Sequence, residues 1–282
     1  MNAALIITLV LQISIALIVF SLALSAQPGE LGFLLRRPSL LLRSILAMNV
    51  IMPIVAGLLA KLFHLNPNVE MALILLAVAP VPPVLPGKQA KAGASVAYGV
   101  SLLFVAALLS IVAVPFSMAV IGRWFGLDVN VSMSSIAKVV GVSVLGPLVI
   151  GAAIARVAPG AARLAKPLSK MALLILVIGL LPVLFVMRQA IWAEVGDFTL
   201  VAIVLFTLVG LGVGHFLGGP VPENRTVLGL STACRHPGVA VAIAGSLVDD
   251  KRPIIAAVLL CVLTAAVVTV PYVKARKKAR AA

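Results

Sequence analysis

Apolar residues run along the chain in nine long blocks separated by short polar or charged stretches. The blocks are residues 3–25, 40–63, 69–91, 94–121, 134–157, 167–190, 197–218, 224–248 and 252–273. A bilayer-spanning helix needs about 20 predominantly apolar residues, and every block is long enough. A transmembrane barrel would show shorter segments alternating with period two, which these unbroken runs exclude. The pattern predicts an all-α polytopic membrane protein with nine membrane helices, in one transporter domain over residues 1–282. The first block is followed, not preceded, by positive charge, and it is longer than the apolar part of a usual signal peptide. A retained helix is expected there.

Two blocks cannot be continuous helices. The third contains Pro80-Val81-Pro82-Pro83-Val84-Leu85-Pro86-Gly87-Lys88, with four prolines in seven residues. Proline removes a backbone donor, clashes one turn back and restricts the residue before it. The eighth contains Ser231-Thr232-Ala233-Cys234-Arg235-His236-Pro237-Gly238 in the middle of an otherwise apolar run. Irregular backbone at membrane depth is tolerated only where protein buries it or it lines a wet cavity. Interrupted helices at corresponding places in two halves of a chain point to a transporter site built on an inverted repeat. The expectation is therefore two discontinuous helices at corresponding places in the two halves.

Composition sharpens the class. Hydrophobic residues make up 62% and charged residues 11%, with mean hydropathy +1.23. That balance belongs to a membrane protein. The net charge of +14 comes from Lys and Arg in loops, where it sets topology and implies no nucleic acid. Fifteen cations fall in alternate loops and the tail (from Arg36, Arg37 and Arg43 through Lys274–Arg280), against six on the other side (Lys61, Arg123, Lys138, Arg188, Lys251, Arg252). The asymmetry predicts an outside N-terminus and a cytoplasmic C-terminus. Cys234 and Cys261 lie within apolar blocks, so neither a disulfide nor a cysteine-rich metal site is expected.

The eight acidic residues are Glu30, Glu70, Asp128, Glu194, Asp197, Glu223, Asp249 and Asp250, all in loops or at block ends. An intramembrane ion site or proton relay usually needs a carboxylate at depth. Here the charge at depth is Arg235, with Lys88 as its possible companion. The counter-charge of Arg235 is then either an anionic substrate or backbone carbonyls at a half-helix C-terminus. The half-helix opening at Pro237-Gly238 also offers free N–H groups to an anion. Two readings stand for Lys88, a site cation or a loop residue at the end of its block. His236 is either a proton carrier or a satisfied histidine at a helix break. Cys234 reads as packing. Asn49, Gln12 and His215 are intramembrane polar residues suited to interhelical hydrogen bonds, with Asn49 also a candidate ligand.

With the broken blocks identified, the chain resembles the bile acid:sodium symporter family. The resemblance rests on Phe33-Leu34-Leu35-Arg36-Arg37-Pro38, on Met52-Pro53 in the following helix, on the broken third block ending at Gly93-Ala94-Ser95, and on Gly238-Val239-Ala240-Val241-Ala242 after the second break. It implies an inverted repeat divided into a panel (approximately 1–65 and 167–218) and a core (approximately 66–158 and 222–275), with two discontinuous helices crossing at the midplane of the core. It also implies transport of organic anions, usually with Na⁺. The chain departs from the family at the sodium ligands. Where members carry Gly-Gly and Ser-Asn in the first crossover, this sequence has Val81, Pro82, Leu85 and Pro86. The family's glutamate falls at Ser231, its glutamine at Arg235 and the following asparagine at His236.

The function these features predict is secondary transport of a small organic anion without the family's Na⁺ sites, with Arg235 and Lys88 standing in for the cations. Na⁺-coupled symport is the alternative. The candidate substrate site comprises Arg235, His236, Ser231, Thr232, Pro237, Gly238, Pro86, Gly87, Lys88 and Asn49. No metal and no cofactor are expected beyond the open question of Na⁺, with proton coupling through His236 as a further possibility. The expected setting is a bacterial inner membrane, as monomer or homodimer. A channel lacks a filter motif. An enzyme lacks a convincing nucleophile–base pair, since Cys234 and His236 do not share a helix face.

Overall fold

The computed structural model describes residues 3–27, 29–124, 131–248 and 250–281; Asp128 and Asp249 lie outside them. Every regular element among the described residues is helical. Helix α1 (Ala3–Leu24) is followed by α2 (Pro38–Ile45) and α3 (Met52–Phe63), joined without interruption by a π-helical stretch, Leu46–Ile51. The third block is two short helices, α4 (Pro67–Val78) and α5 (Leu85–Lys91). Then come α6 (Val96–Trp124), α7 (Met133–Val140) and α8 (Gly146–Val157), the last two joined by π-helical Gly141–Leu145. A 3₁₀ turn (Pro159–Leu164) leads into α9 (Ala165–Ala193), and α10 (Thr199–Leu217) follows. The eighth block is again two helices, α11 (Pro222–Ala233) and α12 (Pro237–Leu247), before the closing α13 (Arg252–Ala281).

Eight helices or helix pairs among the described residues are long and apolar enough to span a membrane. The remaining block of the nine is the broken α4–α5 pair, whose longer half is a 12-residue apolar helix. Large apolar side chains face outward along the spans, as Leu174, Ile178, Leu181 and Phe185 do on α9. In a protein whose solvent is lipid, that exposure has no cost. The basic tail, expected to end its helix near residue 273, continues as α13 to Ala281. Ala, Lys and Arg are strong helix formers, and Arg276 ties the tail back to α11 through Thr226 Oγ1 (2.9 Å) and the Pro222 carbonyl (2.9 Å).

The two halves repeat. Pro67 opens α4 and Pro222 opens α11, 155 residues later, and each of these helices has 12 residues. Val96 opens α6 and Arg252 opens α13, 156 residues later, and the internal prolines Pro115 and Pro271 keep the same offset. The broken helices cross in opposite senses: α4 packs against α12, and α5 against α11. Loop residues sort by end. Phe63 meets the Phe198 ring at 5.9 Å and Lys61 lies over Trp124, both within the charge-poor set of loops. Arg280 leans over Gly93 and Arg43 over Gly219, both within the charge-rich set.

Packing around the crossing is close. Gly210 and Gly214 of α10 let its backbone touch that of α11; a Cβ on Gly210 would lie 2.9 Å from Ala233 Cα. Small residues permit such approach between membrane helices. Helix α1 lies along α8 and α9, α3 packs on α4 and α10, and α10 on α11.

Candidate functional site

The site is built from carbonyls that proline has deprived of partners. In the span formed by α2 and α3, Met52 N–H bonds the Ala47 carbonyl in π register. The next donor in that register would serve Met48 O, but it belongs to Pro53, which has no N–H. Met48 O is therefore left free inside a buried helix; Met48 is 2% exposed. The same logic holds at the end of α4. The residues three and four beyond Ala79 are Pro82 and Pro83, so the Ala79 carbonyl has no helical donor. A buried carbonyl without a donor costs about 1–3 kcal/mol.

Arg235 supplies the donors. Its Nη1 donates to Ala79 O at 3.1 Å and its Nη2 to Met48 O. The side chain is 5% exposed, and its Nε has no partner among the described residues. No carboxylate among the described residues bonds it. The guanidinium instead sits at the carbonyl end of α4, where the helix dipole favours a cation. Of the two counter-charges the sequence allowed, the carbonyls are the one observed; a bound anion would add to them.

Next to it, the backbone N–H of His236 donates to Pro80 O at 2.9 Å, so the two breaks are joined directly. His236 caps α12: its Nδ1 accepts from the Gly238 N–H at 3.1 Å. A nitrogen that accepts there carries no proton, so in the neutral ring the proton is on Nε2. His236 Nε2 is buried and unpartnered. Cys234 is a half-buried free thiol.

The other predicted residues divide into two groups. Ser231 and Thr232 are fully buried. The Thr232 hydroxyl is taken up by its own helix at Leu228 O (2.7 Å), which leaves it no free proton. Ser231 Oγ accepts from Gln89 Nε2 at 2.8 Å, and the same nitrogen reaches Val227 O at 3.0 Å. Asn49, half-buried beside Met48 in the π-helical stretch, has no side-chain partner among the described residues. Pro86 is buried, Pro237 half-buried, and Gly87, Lys88 and Gly238 are exposed. A Cβ at Gly87 would meet open space. Lys88 touches no carbonyl of the cage, but lies within electrostatic range of Cys234.

Gln89 is the residue sequence reasoning missed. It is 1% exposed, pins α5 to α11, and keeps an unpartnered Oε1. The only signal was a lone glutamine between two lysines, which reads as a polar helix end. Glu194 is a second surprise. At the end of α9 it is 6% exposed, accepting from Asn68 Nδ2 at 3.1 Å with Oε2 unpartnered. Burial raises its carboxyl above the ordinary range, and the Asn68 bond opposes that. It belongs to the loop end, away from Arg235.

Arg235 Nε–H, His236 Nε2–H and Gln89 Oε1 are thus buried polar atoms without a partner among the described residues, with Gln89 Oε1 facing Gly99 of α6.

Compared with curated proteins, the chain finds no match. Compared with family models, residues 12–195 match the Sodium Bile acid symporter family. The match takes in α2 to α9, including the first break, and stops before α11 and α12. Members of this family are membrane transporters of organic anions, typically coupled to Na⁺. With well over half its length matched, its helices apolar enough to span a bilayer and its two interrupted helices joined at their breaks, the chain belongs to the Sodium Bile acid symporter family.

Proposed function

We propose that the protein is a secondary transporter of a small organic anion in which the guanidinium of Arg235 takes the role of the coupling cation. The observation that carries this reading is the pair of bonds from Arg235 to Ala79 O and Met48 O. Oxygen cages of this kind hold metal cations elsewhere in biology, and a tethered cation fills this one. Transport is then Na⁺-independent uniport or exchange, or is linked to protons through His236.

The anion meets Arg235 Nε, His236 Nε2 and the free amide of Asn49, with Lys88 at the exposed flank beside Pro86, Gly87, Pro237 and Gly238. Ser231 and Gln89 hold α5 to α11 and so keep the second half of one broken helix in register with the first half of the other. In this reading a panel (approximately 1–65 and 167–218) and a core (approximately 66–158 and 222–275) move against each other. The uneven loop charge supports an outside N-terminus and a cytoplasmic C-terminus in a bacterial inner membrane.

The test is uptake of organic anions into proteoliposomes with and without a Na⁺ gradient. Equal uptake supports the tethered cation. Strict Na⁺ dependence rejects it and restores the symport that is usual in the family.

A further inference from the structure

At the end of the molecule where α5 and α13 finish, a cavity of about 340 Å³ opens between the two helices. Its walls are Ala90, Lys91, Ala92 and Gly93 on one side, Lys277 and Arg280 on the other. All three cations are exposed, and none has a hydrogen-bond or ion-pair partner among the described residues. No acid among the described residues lines the cavity.

Cations at helix ends often serve the last carbonyls, but here that work is done. The carbonyls of Lys88, Gln89 and Ala90 accept from the amides of Ala92, Gly93 and Ala94 at 2.9–3.1 Å. The turn is shaped to admit Arg280: Gly93 has φ +79°, and a Cβ there would lie 2.6 Å from Arg280 Cδ. Three like charges therefore converge on one opening with nothing to neutralise them. The opening lies at the basic end of Arg252–Arg280, a helix long and apolar enough to cross a membrane. Basic pockets at that level, between membrane helices, fit phospholipid head groups.

We propose that this cavity binds the phosphate head group of an anionic phospholipid, which bridges the broken helix α4–α5 to the C-terminal helix. The ligand is a lipid and not a free phosphate because its acyl chains continue along the apolar flank of α13, adding buried area that a free ion lacks.

The experiment uses the full chain in neutral detergent, titrated with phosphatidylglycerol in a phosphatidylcholine background, with the thermal midpoint as readout. The Lys277→Gln, Arg280→Gln double variant is compared with Lys166→Gln, Lys170→Gln, which removes two cations elsewhere among the charge-rich loops. At about 1 kcal/mol per basic residue, the first pair weakens the lipid response about thirtyfold and the second leaves it unchanged. Inorganic phosphate at matched concentration leaves the midpoint unmoved. Should the double variant not fold, Lys91→Gln on the opposite wall is read instead, with a loss of about fivefold. Equal losses in both double variants, no loss on removing the wall cations, or an equal response to inorganic phosphate overturns the proposal.

Discussion

Arg235 donates to the main-chain oxygen of Met48, 187 residues earlier in the chain, and that oxygen is free because Pro53 has no hydrogen to give it. One proline thus makes an acceptor in the first half of the protein, and one arginine from the second half uses it. The bond fastens the two halves at the point where both broken helices are weakest.

Replacing the guanidinium should therefore damage the fold as well as the site. Arg235→Gln leaves Met48 O and Ala79 O without donors, at about 1–3 kcal/mol each, so a loss of about 2–6 kcal/mol is expected. It should appear as a lower thermal midpoint in detergent. Arg235→Gly opens the same cage without filling it, and added guanidinium ion should recover part of the lost midpoint. No recovery at millimolar guanidinium would count against a cage shaped for a cation.

Pro53→Ala should separate stability from transport. The alanine restores an N–H and lets the helix close on its own carbonyls, which removes a proline cost of about 3 kcal/mol. It also gives Met48 O a competitor for Arg235. The expected outcome is a midpoint equal to or above the wild type with slower uptake of anion. A variant that loses midpoint and uptake together would argue that the π-helical stretch matters for packing alone.

Glu194 gives a pH dependence whose sign follows from burial. Its carboxyl titrates above its ordinary value of 4.5 in the folded protein. The folded state then holds the proton more tightly than the unfolded chain, and the stabilisation is complete below the ordinary value and lost as pH rises through the folded one. Glu194→Gln should match the wild type in acid and exceed it at neutral and alkaline pH, in a series of thermal midpoints. Identical pH profiles for the two proteins would show the carboxyl to be better solvated than its burial implies.

Much of this protein is written locally. The apolar block lengths give helices whose bounds differ from 3–25, 94–121 and 197–218 by three residues or fewer, because a chain in lipid must satisfy its backbone within each segment. The breaks at residues 79–84 and at Cys234–His236 are equally local, since a missing donor acts within one turn. The repeat is legible as prolines recurring at a fixed offset, though residue identity between the halves is faint. What sequence could not give is which free groups meet. Along the chain Arg235 is compatible with an anion or with carbonyls as its partner, and only the tertiary packing brings Ala79 O and Met48 O within its reach. Gln89 was invisible for the same reason: its partners Val227 and Ser231 are 138 and 142 residues away. Spacing along one helix fixes which side chains share a face, but the approach of two helices is decided by the packing of their whole surfaces. That is also why Glu194, which reads as a solvated loop acid, ends up buried against Asn68.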